Sequence, residues 1–315
     1  MTTAHRPRLL AQFGTGRQLT RITETAPDTV RWQRTPGPQH PDPYRPVPAD
    51  VTAALHAADG PPVAFATPDT AEPDRYAWDV NGRRSLGELV ESGRAGQHTD
   101  LLRDTAGHLG RHLRRLHDHA HGRDWSHHPR PGGPLRLAAW LRTGRGPRAA
   151  TGFRHLLHSR LGPAAFARLT EHTDRLLTPD PGRDTLLHGW FSLGSVVLAD
   201  TPDARPAASV LSGPEAAVGR PETDAACLLG ELTEYRMAAH RAGLDWSWLD
   251  PVGAAFLAGY GEGLDPGLLA AAVTVRVATH ACDFACYVGW DAQLHGYVPM
   301  LAELLDLPEA GAAAR

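Results

Sequence analysis

Between Leu186 and Asp224 the sequence reads LLHGWFSLGSVVLADTPDARPAASVLSGPEAAVGRPETD. Its two short apolar runs, Ser195 to Ala199 and Ser209 to Leu211, are joined by a turn rich in Pro and Asp, the pattern of a β-hairpin with both strands half buried. This hairpin interrupts a chain of otherwise two parts. Strand signals cluster before Val80, and helical spacing dominates after Leu86. The pattern predicts an α+β protein with a strand-rich first part and a helical second part that encloses the hairpin.

Composition removes several classes of function. The 315 residues carry a formal charge of -3, which offers no basic stripe for nucleic acid. No lysine occurs, so the 32 residues counted as Lys+Arg are all arginine, and Asn81 is the single asparagine. No run approaches the ~18–20 apolar residues of a membrane span, and Met1 to Gln12 has no targeting pattern. Cys227, Cys282 and Cys286 are an odd set, most simply reduced thiols in a cytosol. The expectation is a soluble cytoplasmic chain with no membrane or nucleic-acid partner.

Taken in order, residues 8 to 34 predict two or three short strands around the Gly14/Gly16 turn, with Trp32 and Arg34 on the last of them. Prolines from Pro36 to Pro48 predict an extended loop, and a helix over 49–58 follows. Strands are expected at 63–67 and 75–80, then a turn at Asn81-Gly82. Leu101, Leu102, Leu109, Leu113 and Leu116 predict a helix over 99–119. Beyond it His119, His121, Asp124, His127 and His128 follow no tight zinc spacing, and read as solvent-exposed or capping residues. Helices are also expected at 135–143, at 151–177 with a break at Gly162-Pro163, at 225–241 and 244–260, and over most of 266–305. On a helix, Cys282 and Cys286 share a face that His280 does not, so these residues read as packing groups and no metal site is expected.

Several of these segments resemble the aminoglycoside phosphotransferase and choline kinase family. In the resemblance, the His-Gly-Asp-x4-Asn loop falls on His188, Gly189, Trp190 and Ser195. The metal-binding Asp falls on Ser212, and a later Gly-Asp-Pro-x-x-Asp turn on Gly219, Arg220, Pro221 and Asp224. Arg83 to Leu89 resembles the inter-lobe hinge, Leu116-His117 a helix end, and Phe256-Leu257-x-Gly259-Tyr260 a late helix. The resemblance implies a two-lobed protein-kinase-like fold, with a β-rich N-lobe over 1–82 and a helical C-lobe over 83–315 holding the hairpin at 186–212.

The same resemblance implies lost chemistry. Phosphoryl transfer needs a base or orienting carboxylate, a lysine on the phosphates and magnesium ligands, and Trp190, Ser195 and Ser212 replace such groups in a chain without lysine. The chain therefore reads as a pseudokinase with no ATP or other cofactor. A binding cleft is expected at Trp190, Ser192, Ser195, Ser212, Trp32 and Arg34, taking a peptide or protein partner, uncharged to cationic because Glu215 and Asp224 remain acidic. Kinase-like relatives accompany ribosomal-peptide pathways of the lanthipeptide type, so a repurposed cyclase or lyase using His188, Glu215 and Asp224 stays open. An active small-alcohol or antibiotic phosphotransferase with substituted ligands stays open too.

Overall fold

The computed structural model describes residues 6–40, 44–69, 74–92, 95–201 and 203–306. The chain begins with β1 (Arg8–Gly14), β2 (Gln18–Ala26) and β3 (Thr29–Pro36), followed by α1 (Ala49–Ala58), β4 (Val63–Ala66) and β5 (Tyr76–Val80). β6 (Arg84–Ser85), α2 (Leu86–Glu91), α3 (Thr99–Ala120), α4 (Gly132–Thr143) and α5 (Ala150–Leu177) come next. Then follow β7 (Thr185–Leu187), β8 (Val196–Leu198), β9 (Ala208–Leu211), β10 (Ala217–Gly219) and α6 (Pro221–Arg241). The chain closes with α7 (Asp250–Tyr260), α8 (Pro266–Tyr287) and α9 (Gln293–Asp306). It is a two-lobed α+β protein with a small sheet-rich first part and a mostly helical remainder.

The small lobe is an antiparallel sheet in the order β1-β2-β3-β5. Alternation sorts its side chains: Ile22, Val30, Trp32, Trp78 and Val80 point to one buried face, with Ile22 opposite Trp32 and Trp32 opposite Trp78 across the strands. On the other face Arg31 forks onto Asp79 with bonds of 2.8 and 2.6 Å. The buried indoles find acceptors, as a buried Trp N–H must: Trp32 donates to the Gly82 carbonyl at 2.9 Å, and Trp78 to the Ser212 carbonyl at 3.3 Å.

The hairpin forms from β8 and β9, and β4 joins it in parallel, Val63 beside Ala208 through Ala66 beside Leu211. The resulting sheet runs β4-β9-β8-β6. Packing therefore does not follow the partition at residue 82. Val51, Leu55, Val63 and Phe65 are buried with Leu109, Leu113 and Phe256 of the helical lobe, while Val197 and Leu211 of the hairpin lie in the small-lobe core.

In the helical lobe α3 buries Leu102, Leu109, Leu113 and Leu116, whereas Leu101, expected on the same stripe, is exposed. α3 packs on α7 at glycine separation: a Cβ on Gly259 would sit 2.1 Å from the Gly107 carbonyl, and one on Gly110 2.1 Å from that of Phe256. Gly162, at φ 75°, breaks α5 before Pro163. The expected 244–260 helix begins later, at α7, after a 3-10 turn over Ser247–Leu249. The final stretch is two helices separated at Gly289, which has φ 122°. Among the described helices α8 alone is long and apolar enough to cross a bilayer, and 67% of its most apolar window is buried inside the fold.

Candidate functional site

The loop after β7 is held by Asp224 from the first turn of α6. Its Oδ2 accepts the His188 N–H at 2.7 Å, its Oδ1 the Gly189 N–H at 2.8 Å, and His117 Nε2 lies 3.2 Å from Oδ2. Asp224 is completely buried. Gly189 sits at φ 86°, and a Cβ there would meet the Glu215 carbonyl at 1.7 Å, so this position requires glycine. His188 bonds the Leu211 carbonyl through Nε2 at 3.2 Å and receives the Trp190 N–H on Nδ1 at 3.3 Å. Burial, ahead of the opposing pull of Asp224, holds its pKa below the ordinary histidine value. Both ring nitrogens are engaged with backbone. His188 and Asp224, expected as acid or base candidates, make these bonds to the backbone of the loop and of β9, and the third candidate, Glu215, pairs with Arg17.

Trp190 is half-buried where the resemblance places a catalytic carboxylate. The Arg276 guanidinium lies over its ring, 4.6 Å from the centroid, and is anchored by Glu231 at 3.0 Å. Gly133 lies close to the ring: a Cβ there would approach Trp190 to 3.2 Å and Thr279 to 3.3 Å. Cation-π contact and packing therefore hold the indole as a plug.

The expected cleft residues divide. Ser192, Ser195 and Ser212 are buried; the Ser195 hydroxyl donates to the Ser192 carbonyl and that of Ser212 to the Val210 carbonyl, each at 2.7 Å. The Ser195 and Ser212 hydroxyls are thus spent on backbone carbonyls and are not offered to a ligand. Trp32 likewise belongs to the small-lobe core rather than to a cleft wall. Arg34 does face a cavity, of about 200 Å³, together with Arg17, Arg45, His40, Tyr44, Tyr76 and Glu215.

Arg34 lies over the Trp78 ring at 5.3 Å, and its buried Nε has no hydrogen-bond partner among the described residues. Desolvation pulls its pKa below the usual arginine value, against the opposing influence of Tyr44 and Glu215. Glu215 is about one-third exposed, with Arg17 Nη2 3.4 Å away. Burial would push its pKa up, but Arg17 and Arg136 outweigh this and hold the carboxyl below the usual range. Arg136 is itself forked onto Asp283 at 3.1 and 2.6 Å. Burial pushes the Tyr44 hydroxyl up to about 12.

The glycine turn that precedes Arg17 is tied down by backbone bonds. Gly16 N–H donates to the Tyr287 carbonyl at the end of α8 at 2.8 Å, Gly37 N–H to Arg17 at 2.8 Å, and Gln39 N–H to Gly16 at 2.7 Å. Arg17, Arg136, Asp283 and Tyr287 are not among the site residues expected from the sequence; Arg17 lies in the β1–β2 turn, Arg136 on α4, and Asp283 and Tyr287 one turn apart on α8, and only the fold brings the three segments together.

Magnesium-ATP does not fit these residues. Magnesium is ordinarily bound through one or two carboxylates together with the substrate phosphates, and here Ser212 is turned inward while Glu215 is paired with Arg17. The cavity is also below the ~300–1,000 Å³ usual for small-molecule sites. His280 is drawn to Glu234 at 2.7 Å, and Cys282 and Cys286 are buried thiols whose sulfurs are 4.0 Å apart.

No protein-family model matches the sequence, and no curated protein matches it. Solved structures do. Spectinomycin phosphotransferase superposes with TM-score 0.57 at 12% identity, covering 96% of this chain and 92% of the other. A microcompartment-associated aminopropanol kinase gives TM-score 0.54 at 16% identity, over 95% and 90%. A choline/ethanolamine kinase family protein from Mesorhizobium loti gives 0.50 at 12%, over 96% and 89%. At these identities the similarity is one of architecture: the chain has the two-lobed fold of the aminoglycoside phosphotransferases and choline/ethanolamine kinase-like proteins.

Proposed function

We propose that this chain is a catalytically degenerate phosphotransferase-fold protein, a pseudokinase, whose remodelled cleft binds an anionic group of a peptide or protein partner. The observation that carries the reading is Arg34, a cation facing a small open cavity, with a buried Nε that meets no acceptor among the described residues. A buried donor left without an acceptor is costly, and a carboxylate from outside would satisfy it by a charge-assisted fork. Arg45 lines the same cavity, and Arg17 already holds Glu215. This changes the expected partner chemistry from uncharged or cationic to anionic, because Asp224 is sealed and Glu215 is paired.

The degenerate half of the proposal rests on indoles. Trp190 stands in the reaction loop, and Trp32 and Trp78 fill the space between the small-lobe sheet and the hairpin. A cyclase would need a free base to raise a thiolate, and His188 has none to offer. A phosphotransferase acting on a small alcohol would need carboxylates at positions 190 and 212. We place the partner among peptides of a ribosomal natural-product pathway, on the strength of the resemblance to kinase-like proteins that accompany them.

The test is calorimetry and fluorescence polarisation. A labelled glutamate-rich decapeptide should bind in a salt-sensitive manner, and Arg34→Gln should weaken it at least tenfold, since a charged hydrogen bond contributes about 1.5–3 kcal/mol. Magnesium-dependent ATP binding at micromolar concentration would sink the proposal, as would equal peptide binding by the variant.

A further inference from the structure

We infer that Asp50, His127 and His128 form a binding site for a divalent transition-metal cation of the zinc type. Asp50 lies in the first turn of α1, and the two histidines lie in the loop between α3 and α4. The fold brings Asp50 Oδ2 to 3.0 Å from His127 Nε2 and 2.9 Å from His128 Nε2. All three potential ligand atoms lie within 4.8 Å of one another.

The chemistry selects the metal. Two imidazoles and one carboxylate suit zinc, nickel or copper rather than magnesium or calcium, which prefer oxygen. With metal–ligand bonds of ~2.0–2.1 Å and tetrahedral angles, donor atoms stand about 3.3 Å apart. The two Asp50–His separations need to open by only about 0.3–0.4 Å to reach that spacing. Three protein ligands leave a fourth position, which points to solvent because His127 is 60% exposed and Asp50 44%.

Two of the ligands are already held in place. Asp50 Oδ1 accepts the Val51 N–H at 3.0 Å, which fixes the carboxylate. The His128 backbone N–H donates to Trp125 at 2.9 Å, and its ring packs against the Trp125 indole at 5.6 Å. One residue further on, the Pro129 carbonyl accepts the Val218 N–H of β10 at 2.8 Å. A bound cation would thus clip α1, from the first part of the chain, to a loop anchored on the helical lobe.

The experiment uses the full chain freed of metal with a chelator and titrated with zinc chloride by calorimetry and thermal melting. The expected result is one zinc per chain, a melting temperature raised by a few degrees at saturation, and no such effect from magnesium. His127→Ala should weaken binding at least tenfold and abolish the thermal shift; the exposure of His127 makes loss of fold by this variant easy to separate, by circular dichroism, from loss of the ligand. Asp50→Asn should also weaken binding. Absence of binding at millimolar zinc overturns the inference, and so does unchanged affinity in both variants, which would assign the zinc to others of the 18 histidines.

Discussion

Asp224 takes three contacts in complete burial, two of them from backbone N–H groups. Asp224→Ala would strand those donors, so a loss of about 3–5 kcal/mol is expected, with Asp224→Asn losing roughly half as much because one acceptor remains. Urea unfolding would measure both. Trp190→Ala should cost about 2–3 kcal/mol, below the full-burial value for Trp because the ring is half-buried, and should create no ATP binding by calorimetry. Stability should also fall in mild acid. His188 and His112 have folded-state pKa values depressed chiefly by burial, that of His112 to about 3. The unfolded chain then binds more protons below pH ~6.5, so their contribution is complete above that pH and is lost on the way down through about 3 for His112, at up to about 1.4 kcal/mol per pH unit for each group. Equal urea midpoints at pH 7.5 and 5.5 would contradict this. At this scale the His188-Gly189 and Asp224 frame was legible only through the resemblance of its two short motifs to those of a known family. Arg34's neighbours were not: Arg17 and Glu215 are 198 residues apart, and no local pattern joins them. Asp50 and His127 are similarly separated, by 77 residues.

Elements with a strong period were read correctly from sequence. Four of the five leucines expected on the α3 stripe, Leu101 being the exception, the glycine break in α5 and the β8–β9 hairpin follow from local spacing and turn chemistry. The α3–α7 contact was less visible, because glycine within a helix signals nothing by itself about what approaches it. Gly259→Ala forces a methyl to within 2.1 Å of the Gly107 carbonyl. We expect a loss of about 1–3 kcal/mol as the helices separate, seen as a lower urea midpoint with unchanged helical circular dichroism. β4 was legible as a strand and not as this strand: four apolar residues carry no record of which edge they will join. Its place beside β9, rather than with the small-lobe strands, is a tertiary outcome.

For the whole molecule, the architecture is kinase-like, and the proposal that it is a pseudokinase makes a direct prediction. Titration with magnesium-ATP up to millimolar concentration should give no heat, because the phosphates lose charge-assisted contacts of about 1.5–3 kcal/mol each and the indoles do not yield their carbonyl partners without unfolding the core. A micromolar, magnesium-dependent dissociation constant would show that the lobes open. The parallel register of β4 on β9 also bears on how the chain is made. Val63–Ala66 is synthesised well before Ala208–Leu211 exists, and at ~5–20 residues per second the interval is roughly 7–30 s. Through that time an apolar strand, buried on one face and half-buried on the other in the finished fold, has no native neighbour on β9, so nascent or truncated chains ending before Ala208 should aggregate or recruit chaperones, whereas those extending past Leu211 should not.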